Sequence, residues 1–352
     1  MSKTLMKGNE ALALAAIKGG CSHFFGYPIT PQNEIPEYLA RELPKAGGTF
    51  LQAESELAAI NMVYGAAAAG GRAMTSSSSP GIALMQEGMS MLSAAELPCV
   101  IVNVQRGGPG IGSIQPSQAD YFQMTRGGGN GDYRIIALAP ATVQEGVEMM
   151  LSAFDLADRY RTPVFIVSDG MLGQMMEPVE LPETTDLTIP AKDWAAIGHG
   201  GRRAPNTLKT LALDPIRLEQ INNSLQEKFS RIAEMESSHG TYRTEGAEIV
   251  LCAYGSTSRI AANAIDMLRE QGIAAGMIRP RTLWPFPSRA FDELTSSCRQ
   301  ILTVEMSCGQ MVEDVRLAMN GRIPVTFYGR SGGIIPVPEE LVTQVKTILG
   351  RD

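Results

Sequence analysis

The sequence predicts an α/β protein with parallel sheets in two successive domains, and three observations predict it. Segments with helical apolar spacing alternate with short strand-like runs through most of the chain, the order that builds parallel sheets flanked by helices. The run Cys99–Gln105 is almost continuously apolar, the pattern of a strand buried on both faces. The alternation lapses after about residue 177 and resumes at Glu248, and 352 residues exceed what one core usually serves. The expected division is a first domain at residues 1–190, a connector at 191–244 with one helix, and a second domain at 245–352.

In the first domain, helix Asn9–Ile17 leads to strand His23–Tyr27 and a turn at 28–32 held by two prolines. Helix Asn33–Leu43, strand Thr49–Gln52, helix Ser55–Ala69 and strand Arg72–Thr75 follow, each with the apolar period of its type. Helix Leu84–Ala95 precedes the Cys99–Gln105 strand, after which the Gly-rich stretch Arg106–Asp132 reads as a long loop. Strand Ile135–Leu138, helix Thr142–Arg159 and strand Val164–Ser168 complete the domain. Prolines at 178, 182, 190 and 205, a basic patch at His199–Arg203 and a polar helix Pro215–Ser237 mark a connector that wraps over a neighbour. The second domain reads as strand Glu248–Ala253, helix Ser258–Gln271, strand Ala274–Ile278, the proline-rich Arg279–Pro287 and helix Ser288–Ser297. Strand Ile301–Glu305, helix Gln310–Asn320, strand Val325–Tyr328 and helix Glu339–Leu349 follow, enough for a self-contained unit.

Composition excludes several classes of function. Hydrophobic residues at 44% and charged residues at 19% describe a globular chain, and the low charge with 36 glycines suggests surface buried against other subunits. A formal net charge of -7 argues against a nucleic-acid surface. No stretch approaches the roughly 20 apolar residues of a membrane span, and the N-terminus lacks a cleavage-site pattern, so a cytoplasmic protein is expected. The five cysteines never form CxxC and the three histidines are scattered. No metal site and no Ser-His-Asp triad is therefore expected on this chain, and any iron–sulfur cluster must sit on another.

Four segments, each just after a predicted strand, carry residues suited to chemistry. In Gly26-Tyr27-Pro28-Ile29-Thr30-Pro31 the prolines fix the backbone around the Thr30 hydroxyl, although a simple proline turn explains the spacing as well. In Glu54-Ser55-Glu56, Ser55 is placed to cap a helix and Glu56 to sit in its first turn, where the helix dipole favours a carboxylate; a plain N-terminal acid fits too. The hydroxyl run Thr75–Ser79 before Pro80-Gly81 opens a helix without the Gly-Lys signature of a nucleotide loop. Arg106, ending the buried strand ahead of Gly107-Gly108-Pro109-Gly110 and Gln115–Asp120, is placed to grip a carboxylate with its planar fork.

Taken in order, these four segments resemble the alpha-type subunits of 2-oxoacid:ferredoxin oxidoreductases, and the resemblance covers essentially the whole chain. It implies a parallel-sheet thiamine-diphosphate pyrimidine-binding domain followed by a smaller transketolase C-terminal-like α/β domain. By the same resemblance Glu56 meets N1′ of the aminopyrimidine, Thr30 and Arg106 orient the oxoacid, and Pro28, Ile29, Ser77, Ser78 and Ser79 line the cofactor side. Glu54 becomes structural or a support behind the residues that touch the ligand, and Asn130 stands where relatives often carry histidine, so it receives no acid–base role. Ser168-Asp169-Gly170 is the nearest approach to a diphosphate motif, but no asparagine follows until Asn206. Thiamine diphosphate is thus expected to be shared with a beta-type subunit that holds Mg²⁺ and a [4Fe-4S] cluster. A gamma-type subunit, a ferredoxin-like subunit and ferredoxin itself are the further expected partners. The implied reaction is oxidative decarboxylation of a 2-oxoacid with coenzyme A to acyl-CoA, CO₂ and reduced ferredoxin. The substrate expected is 3-methyl-2-oxobutanoate, with 2-oxoglutarate second. The alternatives are half of a non-redox thiamine enzyme (a decarboxylase or transketolase type) and a non-catalytic scaffold subunit.

Overall fold

The computed structural model describes residues 3–182, 187, 189–294 and 296–351. Its first half runs β1 (Thr4–Lys7), α1 (Gly8–Lys18), β2 (His23–Gly26), α2 (Glu34–Glu42), β3 (Thr49–Gln52), α3 (Glu56–Ala68) and β4 (Ala73–Ser77). Then come α4 (Ser79–Leu84), α5 (Gln86–Ala94), β5 (Cys99–Gln105), α6 (Tyr121–Thr125), β6 (Ile136–Leu138), α7 (Val143–Tyr160), β7 (Pro163–Asp169), α8 (Gly170–Gln174) and β8 (Met176–Val179). After the connector follow α9 (Pro215–Met235), β9 (His239–Tyr242), β10 (Ile249–Cys252), α10 (Gly255–Glu270), β11 (Ala275–Pro280) and β12 (Thr282–Trp284). The chain ends through β13 (Gln300–Glu305), α11 (Met311–Met319), β14 (Val325–Gly329) and α12 (Pro338–Leu349).

The first sheet has seven strands in the order β12-β6-β7-β5-β4-β2-β3, parallel except for β12. Strand β5 pairs with β4 on one side and β7 on the other, and all seven of its residues are buried, as its apolar run requires. Helices cover the sheet with fully buried side chains such as Leu39 and Ile60, each removing about 1.5–3 kcal/mol of apolar side chain from water. Because the chain steps from β2 outward to β3 and then returns to β4 on the other side of β2, the strand order reverses between β2 and β4. The crevice at the carboxyl ends of two such strands is where open α/β sheets bind ligands.

The second sheet has the order β14-β13-β10-β11-β9, in which only β9 is antiparallel. The two halves are not self-contained. The proline-rich segment Arg279–Pro287, given no element from the sequence, supplies β12, which closes the edge of the first sheet against β6. The end of the stretch expected to be connector supplies β9, which pairs with β11. Arg279 forks onto Glu145 at 2.6 and 2.8 Å, and Arg281 reaches the same carboxylate at 2.9 Å, so α7 of the first half is clamped to β11 and the bend after it. Burial pushes the Glu145 carboxyl up, but Arg279, the Ala141 N–H and the charge of Arg281 more than offset this and hold it below the ordinary range. Charge-assisted bonds of this kind contribute about 1.5–3 kcal/mol each.

Two further expectations change in detail. The helix predicted at Leu84–Ala95 is two, α4 and α5, broken at Met85, because Pro80 in the first turn after Ser79 starts a helix earlier than the apolar period suggests. The helix predicted at Ser288–Ser297 is a single 3-10 turn at Ser288–Phe291, and its predicted end includes Thr295, which lies outside the described residues. The proline-rich stretch in which the alternation lapses after about residue 177 likewise includes residues 183–186 and 188, outside the described residues. Among the described residues no helix is long and apolar enough to cross a membrane.

Candidate active site

Loops after β2, β3, β4 and β5, which hold the four sequence segments singled out above, meet at the crevice where the strand order reverses. Ser55 adopts extended backbone and its hydroxyl accepts a hydrogen bond from the Ala58 N–H at 3.1 Å, the expected N-cap. Glu56 is thereby the first residue of α3 and is 95% buried, with a residual exposure of 5%. Its Oε1 lies over Gly81: a Cβ there would stand 2.5 Å from Glu56 Oε1 and 2.0 Å from the Ser77 hydroxyl. Only glycine lets the β4–α4 turn approach the carboxylate so closely. Glu54 is exposed.

The hydroxyl run divides into two kinds. Ser77 and Ser78 are fully buried and their hydroxyls lack any protein partner, as does that of Thr75. Buried hydroxyls are almost always bonded, and the Ser77 hydroxyl lies on the turn that meets Glu56 at Gly81. Ser76 instead donates to Gln32 Oε1 at 2.6 Å, and Gln32 Nε2 donates to the Tyr27 carbonyl at 3.3 Å, tying the β2 loop to β4. Ser79 is also committed: its hydroxyl accepts from the Arg106 N–H at 3.0 Å and lies 2.5 Å from Asp120 Oδ2.

Arg106 is buried at the end of β5, and its Nη1 donates to the Thr30 carbonyl at 2.9 Å while Nη2 donates to the Ile111 carbonyl at 2.8 Å. The Tyr-Pro-Ile-Thr-Pro and Arg-Gly-Gly-Pro segments therefore touch directly. Two of the five guanidinium N–H groups are used this way, and the buried Nε has no partner. Thr30 and Pro28 are exposed and Ile29 is half-buried.

Sequence reasoning missed what supports this arrangement. Gln118 fills the equivalent crevice of the second sheet: Nε2 donates to the Tyr254 carbonyl at 2.9 Å, and Oε1 accepts from the Thr257 hydroxyl at 2.7 Å and the Met306 N–H at 3.1 Å. Tyr121 donates to Asp314 at 2.6 Å, and Gln310 bonds the Phe122 N–H and the Ala119 carbonyl. The Gly-rich stretch is thus anchored on the second domain through Gln118–Phe122. The only sequence signal was the return of bulky polar and aromatic residues after the glycines.

Asp169, the acid of the weak diphosphate motif, is spent on structure. It caps α8 by accepting from the Met171 and Leu172 N–H groups at 2.9 and 3.1 Å, and accepts from the Ser256 hydroxyl at 2.5 Å. Burial pushes its carboxyl above the ordinary range, while those hydrogen bonds pull the other way. Asn130 is engaged by Ser90, which donates to its backbone carbonyl at 2.6 Å. Among the described residues, no group of three or more His, Cys, Asp or Glu side chains is arranged to hold a metal ion.

This crevice, built at the strand reversal of one α/β domain and braced by a second, is the class of site found in thiamine enzymes. Residues 14–243 match the family profile described as pyruvate flavodoxin/ferredoxin oxidoreductase, thiamine diP-bdg, and residues 247–341 match pyruvate:ferredoxin oxidoreductase core domain II. The chain belongs to the 2-oxoacid:ferredoxin oxidoreductase family of thiamine-diphosphate enzymes. It is 47% identical over 351 residues to the ketoisovalerate oxidoreductase subunit VorB of Methanothermobacter marburgensis, covering 100% of this chain and 99% of the relative. It is 39% identical to the 2-oxoglutarate synthase subunit KorA of Archaeoglobus fulgidus, covering 98% and 99% of the two chains. A solved 2-oxoglutarate:ferredoxin oxidoreductase from Magnetococcus marinus, with 2-oxoglutarate, coenzyme A and succinyl-CoA bound, superposes with a TM-score of 0.89 at 30% identity. The match covers 98% of this chain and 65% of that longer one. An inactive split-gene transketolase, at a TM-score of 0.63 and 15% identity, shares the fold. These relatives are named as subunits, so the chain is a component of a multi-subunit enzyme.

The residues present fit the aminopyrimidine of thiamine diphosphate. A buried carboxylate opens α3, the β4–α4 turn meets it closely at Gly81, and that turn carries the unpartnered Ser77 and Ser78 hydroxyls.

Proposed function

We propose that this chain supplies the pyrimidine side and the oxoacid side of an active site completed by a second subunit. The reaction is CoA-dependent oxidative decarboxylation of a 2-oxoacid with transfer of electrons to ferredoxin. The observation that carries this reading is the buried Glu56 carboxylate with the unpartnered Ser77 and Ser78 hydroxyls on the neighbouring turn. Thiamine diphosphate, when bound, supplies a nucleophilic ring carbon and an electron sink for decarboxylation. Glu56 holds the proton bond at N1′, and its negative charge favours the ring tautomer needed for activation. Ser77, Ser78, Pro28 and Ile29 line the ring's surroundings. Thr30 and Arg106 hold the oxoacid, with Nε and the remaining Nη protons of Arg106 available to its carboxylate. The glycine loop after Arg106 covers the crevice and limits water.

The partner that completes the site is a beta-type subunit holding the diphosphate, Mg²⁺ and a [4Fe-4S] cluster, with gamma-type and ferredoxin-like subunits beyond it. Two features support an incomplete site. Asp169 is committed to α8 and Ser256. Leu51, Leu57 and Leu84 also stand exposed, at 41%, 49% and 59%, on the strand and helices beside Glu56, where a covering chain would bury them. The preferred oxoacid is 3-methyl-2-oxobutanoate, ahead of 2-oxoglutarate. Its support is the 47% identity to the ketoisovalerate relative and the exposed aliphatic rim of Ile111, Ile114, Ile334 and Ile335.

The test is an assay of the co-purified complex across pyruvate, 2-oxoglutarate, branched-chain and aryl oxoacids, following CoA-dependent reduction of a one-electron acceptor. The expected result is the highest kcat/KM for 3-methyl-2-oxobutanoate together with a visible iron–sulfur spectrum. Decarboxylation without acceptor reduction would make the chain half of a non-redox thiamine enzyme. No turnover of any oxoacid would make it a scaffold.

A further inference from the structure

We infer that Ser79 and Asp120 are positioning residues that fix Arg106 for the oxoacid, an inference that rests on the oxoacid-binding role of Arg106 given above. Asp120 is half-buried, and among the described residues its side-chain partners, Ser79 and Asn103, are neutral. Its Oδ2 lies 2.5 Å from the Ser79 hydroxyl and 2.9 Å from Asn103 Nδ2. Burial pushes its carboxyl above the ordinary range, against the pull of those two bonds. A carboxylate placed this way is costly to the fold and calls for a purpose.

The purpose lies in the single proton of the Ser79 hydroxyl. A hydroxyl has one proton to give and two lone pairs to accept with. The Asp120 carboxylate only accepts, so it takes that proton and turns the lone pairs of Ser79 toward the Arg106 N–H, 3.0 Å away. The Arg106 carbonyl, 3.1 Å from the same oxygen, is the competing acceptor that Asp120 defeats. Without Asp120 the hydroxyl can rotate toward that carbonyl and release the N–H.

Arg106 stands at the base of a loop that closes on itself, with the Gly107 N–H donating to the Gln115 carbonyl at 2.9 Å and the Ser113 N–H to the Gly107 carbonyl at 2.7 Å. The tip of that loop is open. Gly108 and Gly110 would meet nothing within 4 Å if given a side chain, and Ile111 is 84% exposed. The guanidinium itself is held only by carbonyls of Thr30 and of that loop, with Nε unpartnered. The backbone of Arg106 must therefore set where the fork points. Ser79 clamps it from α4, and Asn103 ties the same carboxylate to β5 two residues before Gln105 ends the strand.

The experiment compares Ser79→Ala, Asp120→Asn and Arg106→Lys in the assembled complex, measuring kcat, the KM values for oxoacid and CoA, and half-saturating thiamine diphosphate. Asp120→Asn keeps the shape but offers an amide where one atom now accepts from two donors. Ser79→Ala and Asp120→Asn are each expected to raise the oxoacid KM about tenfold, the loss of one well-placed hydrogen bond. The other parameters should stay near wild type, and neither change should add to the effect of Arg106→Lys. If Ser79→Ala weakens assembly, the isosteric Asp120→Asn carries the comparison. An unchanged oxoacid KM in both variants while Arg106→Lys raises it would overturn the inference and leave the role of Arg106 standing. A shift in the thiamine diphosphate requirement instead would also overturn it and return Ser79 to the cofactor side. If Arg106→Lys itself leaves the oxoacid KM unchanged, the reading of Arg106 fails.

Discussion

Glu56→Gln is expected to leave folding and subunit assembly intact while turnover falls by about 10²–10⁴-fold, the range associated with losing a positioned acid–base group. The amide can still hydrogen-bond N1′, but it cannot carry the charge that favours the activated ring. Structure makes the stability side of this expectation specific. Glu56 is 5% exposed and makes no ion pair among the described residues, and glutamine fills the same space. The melting temperature of the variant should therefore stay close to that of the wild type, so that activity falls without a matching loss of stability. Exchange of the thiazolium C2 proton in the assembled variant checks the role directly. A near wild-type exchange rate would remove Glu56 from the chemistry and make Glu54 the next candidate.

Arg106→Lys is expected to raise KM for every accepted oxoacid by a similar factor, because the carboxylate it grips is common to all of them. Lysine keeps the charge and loses the planar fork. In this fold it also loses the two bonds to the Thr30 and Ile111 carbonyls that hold the two loops together. Losing a charge-assisted pair of this kind costs roughly 2–5 kcal/mol, so an increase of at least about 30-fold is expected. Thiamine diphosphate binding should not change. A variant that altered the preference among oxoacids while sparing the best one would show that Arg106 selects the side chain instead.

Much of the fold was legible because its core strands obey one simple rule. Cys99–Gln105, buried along its whole length, was bounded correctly from the sequence, and Ser55 caps α3 as its position implied. What was not legible are elements whose pairing partner lies far along the chain. Strands β1, β8, β9 and β12 are short edge strands of three or four residues, too short to show a period, and each is defined by a partner at long range. The same limit applies to the site. The four segments could be found one by one, but not the 2.9 Å contact from Arg106 to Thr30 or the split of the serine run into free and committed hydroxyls. Asp120 and Gln118 were hidden for a related reason: their function is to hold other residues, and nothing in their local sequence advertises a partner over a hundred residues away or on the opposite turn.

The central claim is that this chain carries half of a thiamine site, with the diphosphate side on another subunit. Calorimetric titration of thiamine diphosphate and Mg²⁺ into the isolated chain, and into the assembled complex, tests it most directly. The expected result is weak binding to the chain alone, with tight binding and stoichiometric Mg²⁺ only once the second subunit is present. Micromolar or tighter binding by the isolated chain, with Mg²⁺ retained on it, would contradict the claim.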